Sequence, residues 1–268
     1  FGITYLATQI DLLKGTEEPV VIKEFFMSGC FRQGQTVTSG SLATGNFEKF
    51  RNSFLDEARL LYKFAGNPHT VNVRKFFQEN GTAYFVMDYI AGGDLEDYAG
   101  SLADNRITEG EALEVLAQMH TALGALHAQN YTHRDVKPQN ILRAENGKVF
   151  VLIDFGIARD FIIDQTQVTS SIIKSEGYSP PEQYRKEARR GPFTDTYSLG
   201  ATLYRLLGGQ KPYDAMQRLN ADEEDVQMPR LRDLNPEVSP ALERAIMQAL
   251  SLKRTQRFQT MEAFRQAA

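Results

Sequence analysis

The sequence predicts an α+β fold with two lobes, a small β-rich lobe followed by a larger α-helical lobe. Residues 1–88 are rich in β-branched and aromatic residues and contain one strongly amphipathic helical segment. After Ala91-Gly92-Gly93, apolar residues recur at helical spacing. The 268 residues suit one compact unit of two lobes or two small domains. We place the boundary between residues 88 and 89.

Four strands are predicted in the first lobe. Residues 3–10 and 20–26 carry β-branched and aromatic side chains, and a turn-like Lys14-Gly15-Thr16 separates them. Residues 71–78 and 82–88 have the same character. They are joined by Glu79-Asn80-Gly81, which is typical of a tight hairpin turn.

A glycine-rich segment and a helix lie between these strand pairs. Residues 28–46 contain four glycines and six serines or threonines, so we interpret them as a flexible insertion that is too polar for the core. Residues 47–65 carry apolar side chains at steps of three and four, which predicts an amphipathic helix. Gly66-Asn67-Pro68 ends it.

The second lobe is predicted to be mainly helical. Apolar spacing predicts a helix over residues 111–129 and a short strand over 149–153. Residues 196–207 are apolar nearly all round, as expected of a buried helix. Ser239-Pro240 supplies an N-cap and a first-turn proline for a helix through residue 250.

Composition excludes several classes of protein. Lysine and arginine total 30 and aspartate and glutamate total 34, so the net charge is −4, and bulk charge excludes a broadly basic nucleic-acid binder. No apolar run approaches the roughly 18 residues of a membrane helix. We expect no nucleic-acid partner and no membrane segment within the chain. The single cysteine cannot form an internal disulfide, so we expect a reducing, cytoplasmic location.

The strongest local signal is His133-Arg134-Asp135-Val136-Lys137-Pro138-Gln139-Asn140, followed after 14 residues by Asp154-Phe155-Gly156. Asn140 and Asp154 offer oxygen donors of the kind that Mg²⁺ prefers. Asp135 is a further carboxylate that can orient a hydroxyl nucleophile. Lys137 can neutralise a phosphoryl group in transfer.

These motifs resemble the catalytic loop and metal loop of the protein kinase superfamily, and the resemblance covers essentially the whole chain. The Phe1-Gly2-Ile3-Thr4-Tyr5 opening, the insertion and Pro180-Pro181-Glu182-Gln183 look most like bacterial eukaryotic-like serine/threonine kinases. The resemblance implies a two-lobed kinase-like fold with one regulatory helix. It also implies transfer of the ATP γ-phosphoryl group to serine and threonine hydroxyls of a protein substrate. The expected cofactors are ATP and Mg²⁺, with Mn²⁺ as an alternative.

The resemblance assigns the central roles to individual residues. Asp135 is the expected catalytic base, and Asn140 and Asp154 are the expected metal ligands. Lys23, in Val20-Val21-Ile22-Lys23, is expected to hold the α- and β-phosphates and to pair with Glu57. From the residues alone, Lys23 could equally be a surface lysine, and Glu57 a border residue of an amphipathic helix.

The nucleotide site rests wholly on the resemblance, because its apolar members are equally expected of plain core. The backbone of Asp88 and Ile90 is expected to read the adenine edge. Val21 and Leu142 are expected to sandwich the adenine ring, with Met87 behind it. Asp94 is expected to bond the ribose. Gly2 and Thr4 belong to the loop that is expected to cover the phosphates.

Further residues are expected to organise the activation segment. Glu182 is expected to pair with Arg257, and Asp195 to hold the catalytic loop through backbone hydrogen bonds. Arg134 is expected to be buried beside Asp135, where a phosphate on the segment would balance its charge. We hypothesise autophosphorylation at Thr169, with lesser candidates at 166, 170 and 171, and a homodimer that carries it out.

Acceptor choice is also expected from this region. Lys137 and Ser175 resemble the pair that marks serine/threonine rather than tyrosine kinases. Gln139 replaces the acidic residue of basophilic kinases, which argues against a basic residue just upstream of the acceptor in the substrate. Lys174 stands where glycine is usual, which bears on the substrate site.

Two alternatives remain open. A small-molecule phosphotransferase would share the base and metal aspartate but lack the Pro-Glu anchor, its arginine partner and the long activation segment. A pseudokinase would keep the fold as a binding scaffold. The sequence also opens within the glycine-rich pattern, so we expect a fragment without the first strand and most of the phosphate-covering loop, which binds ATP poorly.

Overall fold

The computed structural model describes residues 2–11, 13, 15–40, 44–144, 147–155, 175–185, 187–220 and 228–268. The described chain forms two compact units. The first holds residues 2–90 and is β-rich, and the second begins at residue 91 and is mainly helical. The α+β class with a β-rich and a helical part is therefore confirmed.

The β-rich unit is built on a four-stranded antiparallel sheet. Its strands are β1 (Ile3–Asp11), β2 (Thr16–Glu24), β5 (Val73–Glu79) and β6 (Thr82–Asp88), in the order β1-β2-β6-β5. All four predicted strands are present, with ends shifted by a few residues. The register sets Lys23 of β2 opposite Thr4 on one side and Phe85 on the other.

One long helix packs on this sheet. Helix α1 (Thr44–Lys63) begins three residues before the predicted start and ends two before the predicted end. Its apolar stripe is buried, and Phe54 contacts both Phe25 and Phe85 at ring-centroid separations of 5.7 and 4.9 Å. Glu57 lies one turn beyond Phe54, so the buried stripe carries it against the sheet.

The prediction of a flexible, core-free insertion is wrong for residues 31–38. They form a hairpin of β3 (Phe31–Gln33) and β4 (Thr36–Thr38). Val37 is buried, and its backbone N–H donates to Asn80 O at 2.8 Å. Arg32 donates to buried Glu24 at 2.6 Å. A single inward valine and one ion pair order this otherwise polar segment.

The helical unit surrounds a buried central helix. Its other elements are named by their bounds: α2 (Leu95–Ser101), α3 (Glu109–Ala128), β7 (Ile141–Arg143), β8 (Phe150–Leu152), α4 (Pro192–Gly208), α5 (Ala215–Asn220), α6 (Leu231–Leu234), α7 (Pro240–Ala249) and α8 (Met261–Ala267). In α4 every residue from Phe193 to Leu207 is buried, as its apolar sequence predicts. Gly200 lets α7 approach closely, since an added Cβ would lie 2.8 Å from the Cβ of Ala249.

Side-chain caps fix the ends of several helices. Thr108 and Glu111 form a reciprocal capping box at the start of α3. Ser239 caps α7 by accepting from Leu242 N, with Pro240 in the first turn, as the sequence predicts. The sequence analysis did not predict α2, which Asp94 caps. Among the helices made of described residues, none has both the length and the apolar character required for crossing a bilayer.

Candidate active site

The segment 132–140 joins α3 to β7 and brings four candidate catalytic groups together. Asp135 is 7% exposed, and its Oδ1 accepts from Ser175 Oγ at 2.7 Å. Its Oδ2 accepts from Asn140 Nδ2 at 2.9 Å and lies 3.4 Å from Lys137 Nζ. Lys137 Nζ also donates to Ser175 Oγ at 3.3 Å. The result is an oriented carboxylate with a cation and a hydroxyl beside it.

Asn140 and Asp154 stand at the same end of the β7–β8 hairpin. The strands pair from Ile141 with Leu152, and one step further Ile153 N donates to Asn140 O at 2.9 Å. Among the described residues, the side chain of Asn140 makes two hydrogen bonds, both from Nδ2, to the backbone and carboxylate oxygens of Asp135. Within that part of the chain its Oδ1 is left to act as a ligand oxygen for a cation, and the amide and carboxylate oxygens of Asn140 and Asp154 fit the ligand set that Mg²⁺ prefers.

Asp195, at the start of α4, bonds the backbone of the segment that carries Asp135. It is fully buried, and its oxygens accept from the backbone N–H groups of His133 and Arg134 at 2.9 and 2.8 Å and from His127 Nε2 at 2.7 Å. Burial alone would raise the pKa of Asp195, but hydrogen bonding and charge from His127, with help from His133 and the Arg134 amide, hold that pKa below its ordinary value.

The backbone around the base is held in a rare conformation. Arg134 and Asp154 have φ values of 67° and 54°, in the left-handed region that non-glycine residues seldom adopt. The amide of Arg134 is held by Asp195, and its carbonyl accepts from Gln183 Nε2 at 2.7 Å. Such strain is typical of functional sites where surrounding bonds over-determine the chain.

The expectation that Arg134 is buried is wrong. Its side chain is half-buried, and its Nε donates to Thr132 Oγ1 at 2.8 Å. This bond to a residue two positions earlier holds the guanidinium against its own loop. Thr169, the other regulatory candidate, and Lys174 lie outside the described residues.

Glu182 and Arg257 form a buried, two-pronged ion pair. Their nitrogen–oxygen distances are 2.7 and 3.1 Å, and the residues are 6% and 3% exposed. Thr194 Oγ1 donates to Glu182 at 3.1 Å, and the remaining donors of Arg257 reach the carbonyls of residues 193, 251 and 252. The pair ties the 3₁₀ turn Pro181–Tyr184 to the N-terminus of α4 and to the segment before α8.

In the β-rich unit, Lys23 and Glu57 lie together but at longer range. Lys23 Nζ is 4.0 Å from Glu57 Oε1, with the lysine side chain 16% exposed and that of Glu57 7% exposed. The ammonium also lies 5.7 Å from the centroid of Phe85. At this distance the ammonium and the carboxylate attract each other as an ion pair.

The nucleotide candidates are distributed over both units. In the β-rich unit, Met87 is buried, Val21, Asp88 and Ile90 are half-buried, and Thr4 is exposed. Asp88 accepts from Arg74 Nε at 2.6 Å. Gly2 has φ 148°, and an added Cβ would lie 2.7 Å from Glu24 O, so the position requires glycine.

In the helical unit, Asp94 and Leu142 are bridged by backbone pairing. The Asp94 carboxylate accepts from Asp97 N at 2.9 Å, which caps α2. The structure thus brings Asp94 beside Leu142, and it gives Asp94 a capping bond that the sequence analysis did not foresee.

Three contributors to the site were missed from the sequence. His127 supports Asp195, Gln183 supports Arg134, and Thr194 supports Glu182. His127 lies 68 residues before its partner in the last turn of α3, so only its polar character within an apolar helix could have indicated a role. The other two stand close to recognised motifs, but nothing in their spacing shows where they point.

Comparison with protein families adds independent information. A family model for the protein kinase domain matches residues 32–267. The chain is 32% identical over 77% of its length to the serine/threonine-protein kinase Sgk2 of Mus musculus, of which it covers 55%. It is 32% identical over 73% of its length to the serine/threonine-protein kinase PrkC of Bacillus subtilis, of which it covers 30%. The chain thus spans about half or less of these curated relatives.

Solved structures agree on the fold. A structure described as the apo form of PpkA-294 superposes with a TM-score of 0.84 at 32% identity, covering 100% of this chain and 91% of that one. The PknI kinase domain of Mycobacterium tuberculosis superposes with a TM-score of 0.67 at 22% identity, covering 99% of this chain and 88% of that one. The second likeness supports the fold alone.

Proposed function

Because this chain belongs to the protein kinase family and carries a serine/threonine-kinase catalytic domain, we propose that it transfers the γ-phosphoryl group of ATP to serine and threonine hydroxyls of a protein substrate. The observation that carries the proposal is the arrangement at Asp135. The carboxylate is oriented by Ser175 and Asn140, and Lys137 stands beside it.

Asp135 is placed to accept the proton of the attacking hydroxyl. Its two oxygens are held by different donors, so the carboxylate stays in one orientation before any substrate arrives. Lys137 supplies positive charge next to the same oxygen and can stabilise charge that develops on the phosphoryl oxygens. Positioning and electrostatics of this kind supply most of the catalysis in phosphoryl transfer.

Asn140 and Asp154 would hold the divalent cation, and Lys23, paired with Glu57, would hold the α- and β-phosphates of ATP. When bound, Mg²⁺ or Mn²⁺ neutralises charge on the phosphate oxygens. The free Oδ1 of Asn140 supports this role in the helical unit. In the β-rich unit, the 4.0 Å separation of Lys23 and Glu57 supports the proposed phosphate contact, because the charge of Glu57 positions the ammonium that would meet the phosphates.

Preference for serine and threonine over tyrosine is supported by Ser175. Its hydroxyl donates to Asp135 Oδ1 at 2.7 Å and accepts from Lys137 Nζ at 3.3 Å, so it links the proposed base to the neighbouring cation. Regulation by autophosphorylation at Thr169, action as a homodimer and a cytoplasmic location belong to the same proposal and rest on the sequence.

The experiment compares the wild type with Asp135→Asn. We expect radiolabelled phosphate to pass from ATP with Mg²⁺ to serine and threonine of a generic protein substrate, and the substitution to lower the rate by at least about 100-fold, since it removes the base. Asp104→Asn is the matched control, because that aspartate is exposed and, among the described residues, its ion pair is with Arg106.

The alternatives give distinct results in the same experiment. Transfer that Asp135→Asn leaves unchanged would indicate a contaminating kinase and favour a scaffold. Transfer to small alcohols but not to proteins would favour a small-molecule phosphotransferase. Mass spectrometry of the wild type after incubation with ATP tests the regulatory part, and absence of phosphate anywhere in residues 160–176 would contradict it.

A further inference from the structure

A pocket of about 410 Å³ adjoins the catalytic base within the helical unit. Lys137 and Ser175 line it, and both bond the carboxylate of Asp135. The pocket is therefore placed to receive a residue that neighbours the acceptor hydroxyl of a bound peptide, and its charge bears on which residues fit there.

Glu96 is the first of two carboxylates that line the pocket, and Arg205 of the same chain neutralises it. Glu96 Oε1 accepts from Arg205 Nη2 at 2.5 Å and from Arg205 Nε at 2.9 Å. Gln139 Nε2 approaches the other oxygen of Glu96 at 3.4 Å. Arg205 projects from buried helix α4, is 9% exposed, and is held further by a bond to Asn105 O at 3.0 Å.

The second carboxylate of the pocket is also paired. Glu176 lies 2.9 Å from Lys211 Nζ, while Lys137 lies against Asp135. The described lining therefore contains three cations, at 137, 205 and 211, and two carboxylates, at 96 and 176. A substrate arginine would have to displace an internal cation, and displacing Arg205 would leave a nearly buried guanidinium without its partner.

We propose that Arg205 is a specificity-determining residue, which occupies Glu96 and so excludes substrates with a basic residue next to the acceptor hydroxyl. This inference rests on the proposed protein-kinase function and deepens it. Selection here is by exclusion, because cations already present in the pocket repel a basic residue of the substrate. Neutral and acidic flanking residues meet no such penalty.

The experiment measures kcat/KM on peptides that share one acceptor and carry arginine, alanine or glutamate at each of the three positions on either side. For the wild type we expect at least one position where arginine lowers kcat/KM about tenfold relative to alanine. Arg205→Met should raise the arginine-to-alanine ratio at that position about tenfold, because Glu96 is released. Arg205→Lys, which keeps the charge, should retain most of the rejection.

A double variant tests whether the effect of Arg205 depends on Glu96. In Glu96→Gln/Arg205→Met no carboxylate is released, so most of the gain for arginine peptides should disappear. Because Arg205 is nearly buried, its replacement could impair folding. Gln139→Glu keeps Arg205 in place but puts a second carboxylate beside Glu96, where the amide of Gln139 now lies 3.4 Å away. One guanidinium cannot neutralise both carboxylates, so this variant should raise the same ratio several-fold.

The outcomes separate this inference from the proposed function. A wild type that prefers arginine peptides at every position, or a Gln139→Glu variant with an unchanged ratio, would overturn the role of Arg205. An equal rise of the arginine-to-alanine ratio in the single and double variants would contradict the claim that Arg205 acts by occupying Glu96. Failure to phosphorylate any peptide or protein would count against the kinase function itself.

Discussion

The groups expected to act in the helical unit accept several short hydrogen bonds, whereas the two charged groups expected to act in the β-rich unit face each other across a longer distance. Asp135 and Asp195 are each nearly or fully buried and accept bonds of 2.7 to 2.9 Å. Lys23 and Glu57 lie 4.0 Å apart, and the lysine is partly exposed. The fold thus orients the Asp135 carboxylate by direct hydrogen bonds, whereas it brings Lys23 and Glu57 together as an ion pair of longer separation.

Two adjacent residues of β2 show the same contrast at short range. Successive side chains of a strand point to opposite faces, so Lys23 and Glu24 have different surroundings. Glu24 is 1% exposed and accepts from Tyr5, Arg32 and Tyr84 at 2.7, 2.6 and 2.8 Å. Burial alone would raise the pKa of Glu24, but these donors hold it below its ordinary value. One face carries a buried carboxylate held by three donors, and the other carries the ammonium that we propose as a phosphate contact.

Breaking the most deeply buried ion pair should give the largest loss of stability. Glu182→Gln leaves Arg257 buried without its counter-charge, so we expect the free energy of unfolding to fall by about 3 to 5 kcal/mol. Urea denaturation measures it. Asp56→Asn is the control, because its pair with Arg59 is exposed on both sides and should be worth less than about 0.5 kcal/mol. Equal losses in the two variants would contradict the assigned role of burial.

Removing the charge of Asp195 should cost somewhat less. Asp195→Asn leaves buried donors poorly matched, so we expect a loss of about 3 kcal/mol at pH 7. The lowered pKa of Asp195 means that its carboxylate stabilises the fold above its unfolded pKa of about 4, and that this contribution is lost as pH falls toward the folded pKa.

The pH dependence supplies the check. Unfolding free energy of the wild type should decrease from about pH 5 to pH 3, and Asp195→Asn should show a shallower decrease. The low pKa of Glu24 acts in the same direction in both proteins, so it does not produce the difference. Parallel profiles for the two proteins would contradict this account of Asp195.

The local sequence pattern was enough to predict the main elements and the catalytic motif, because both depend on residues that are close together in sequence. The buried stripe of α1 and the all-round apolar α4 depend on spacing alone. Hairpin 31–38 could not be predicted, because its order depends on Val37 meeting a turn more than 40 residues away.

The same reason limits prediction of the site. Asp135 and Asn140 are five residues apart and recognisable as a motif, and their bond follows from it. Arg205 and Glu96 are 109 residues apart, and their contact exists only because α2 and α4 pack together. His127 and Asp195 likewise meet through the packing of α3 on α4. Side chains that support or block a site are set by tertiary packing.

The contrast between the hydrogen-bonded catalytic loop and the more distant Lys23–Glu57 pair is tested most directly by Glu57→Gln, measured beside Asp195→Asn. We expect Glu57→Gln to lower the free energy of unfolding by less than Asp195→Asn does, because the Lys23 side chain is 16% exposed and lies 4.0 Å from Glu57, whereas Asp195 is fully buried and accepts three bonds of 2.9 Å or less. We expect it to lower kcat/KM for ATP at least about tenfold, because Lys23 loses the charge that positions it. A loss of stability as large as that of Asp195→Asn, or an unchanged kcat/KM, would contradict the account.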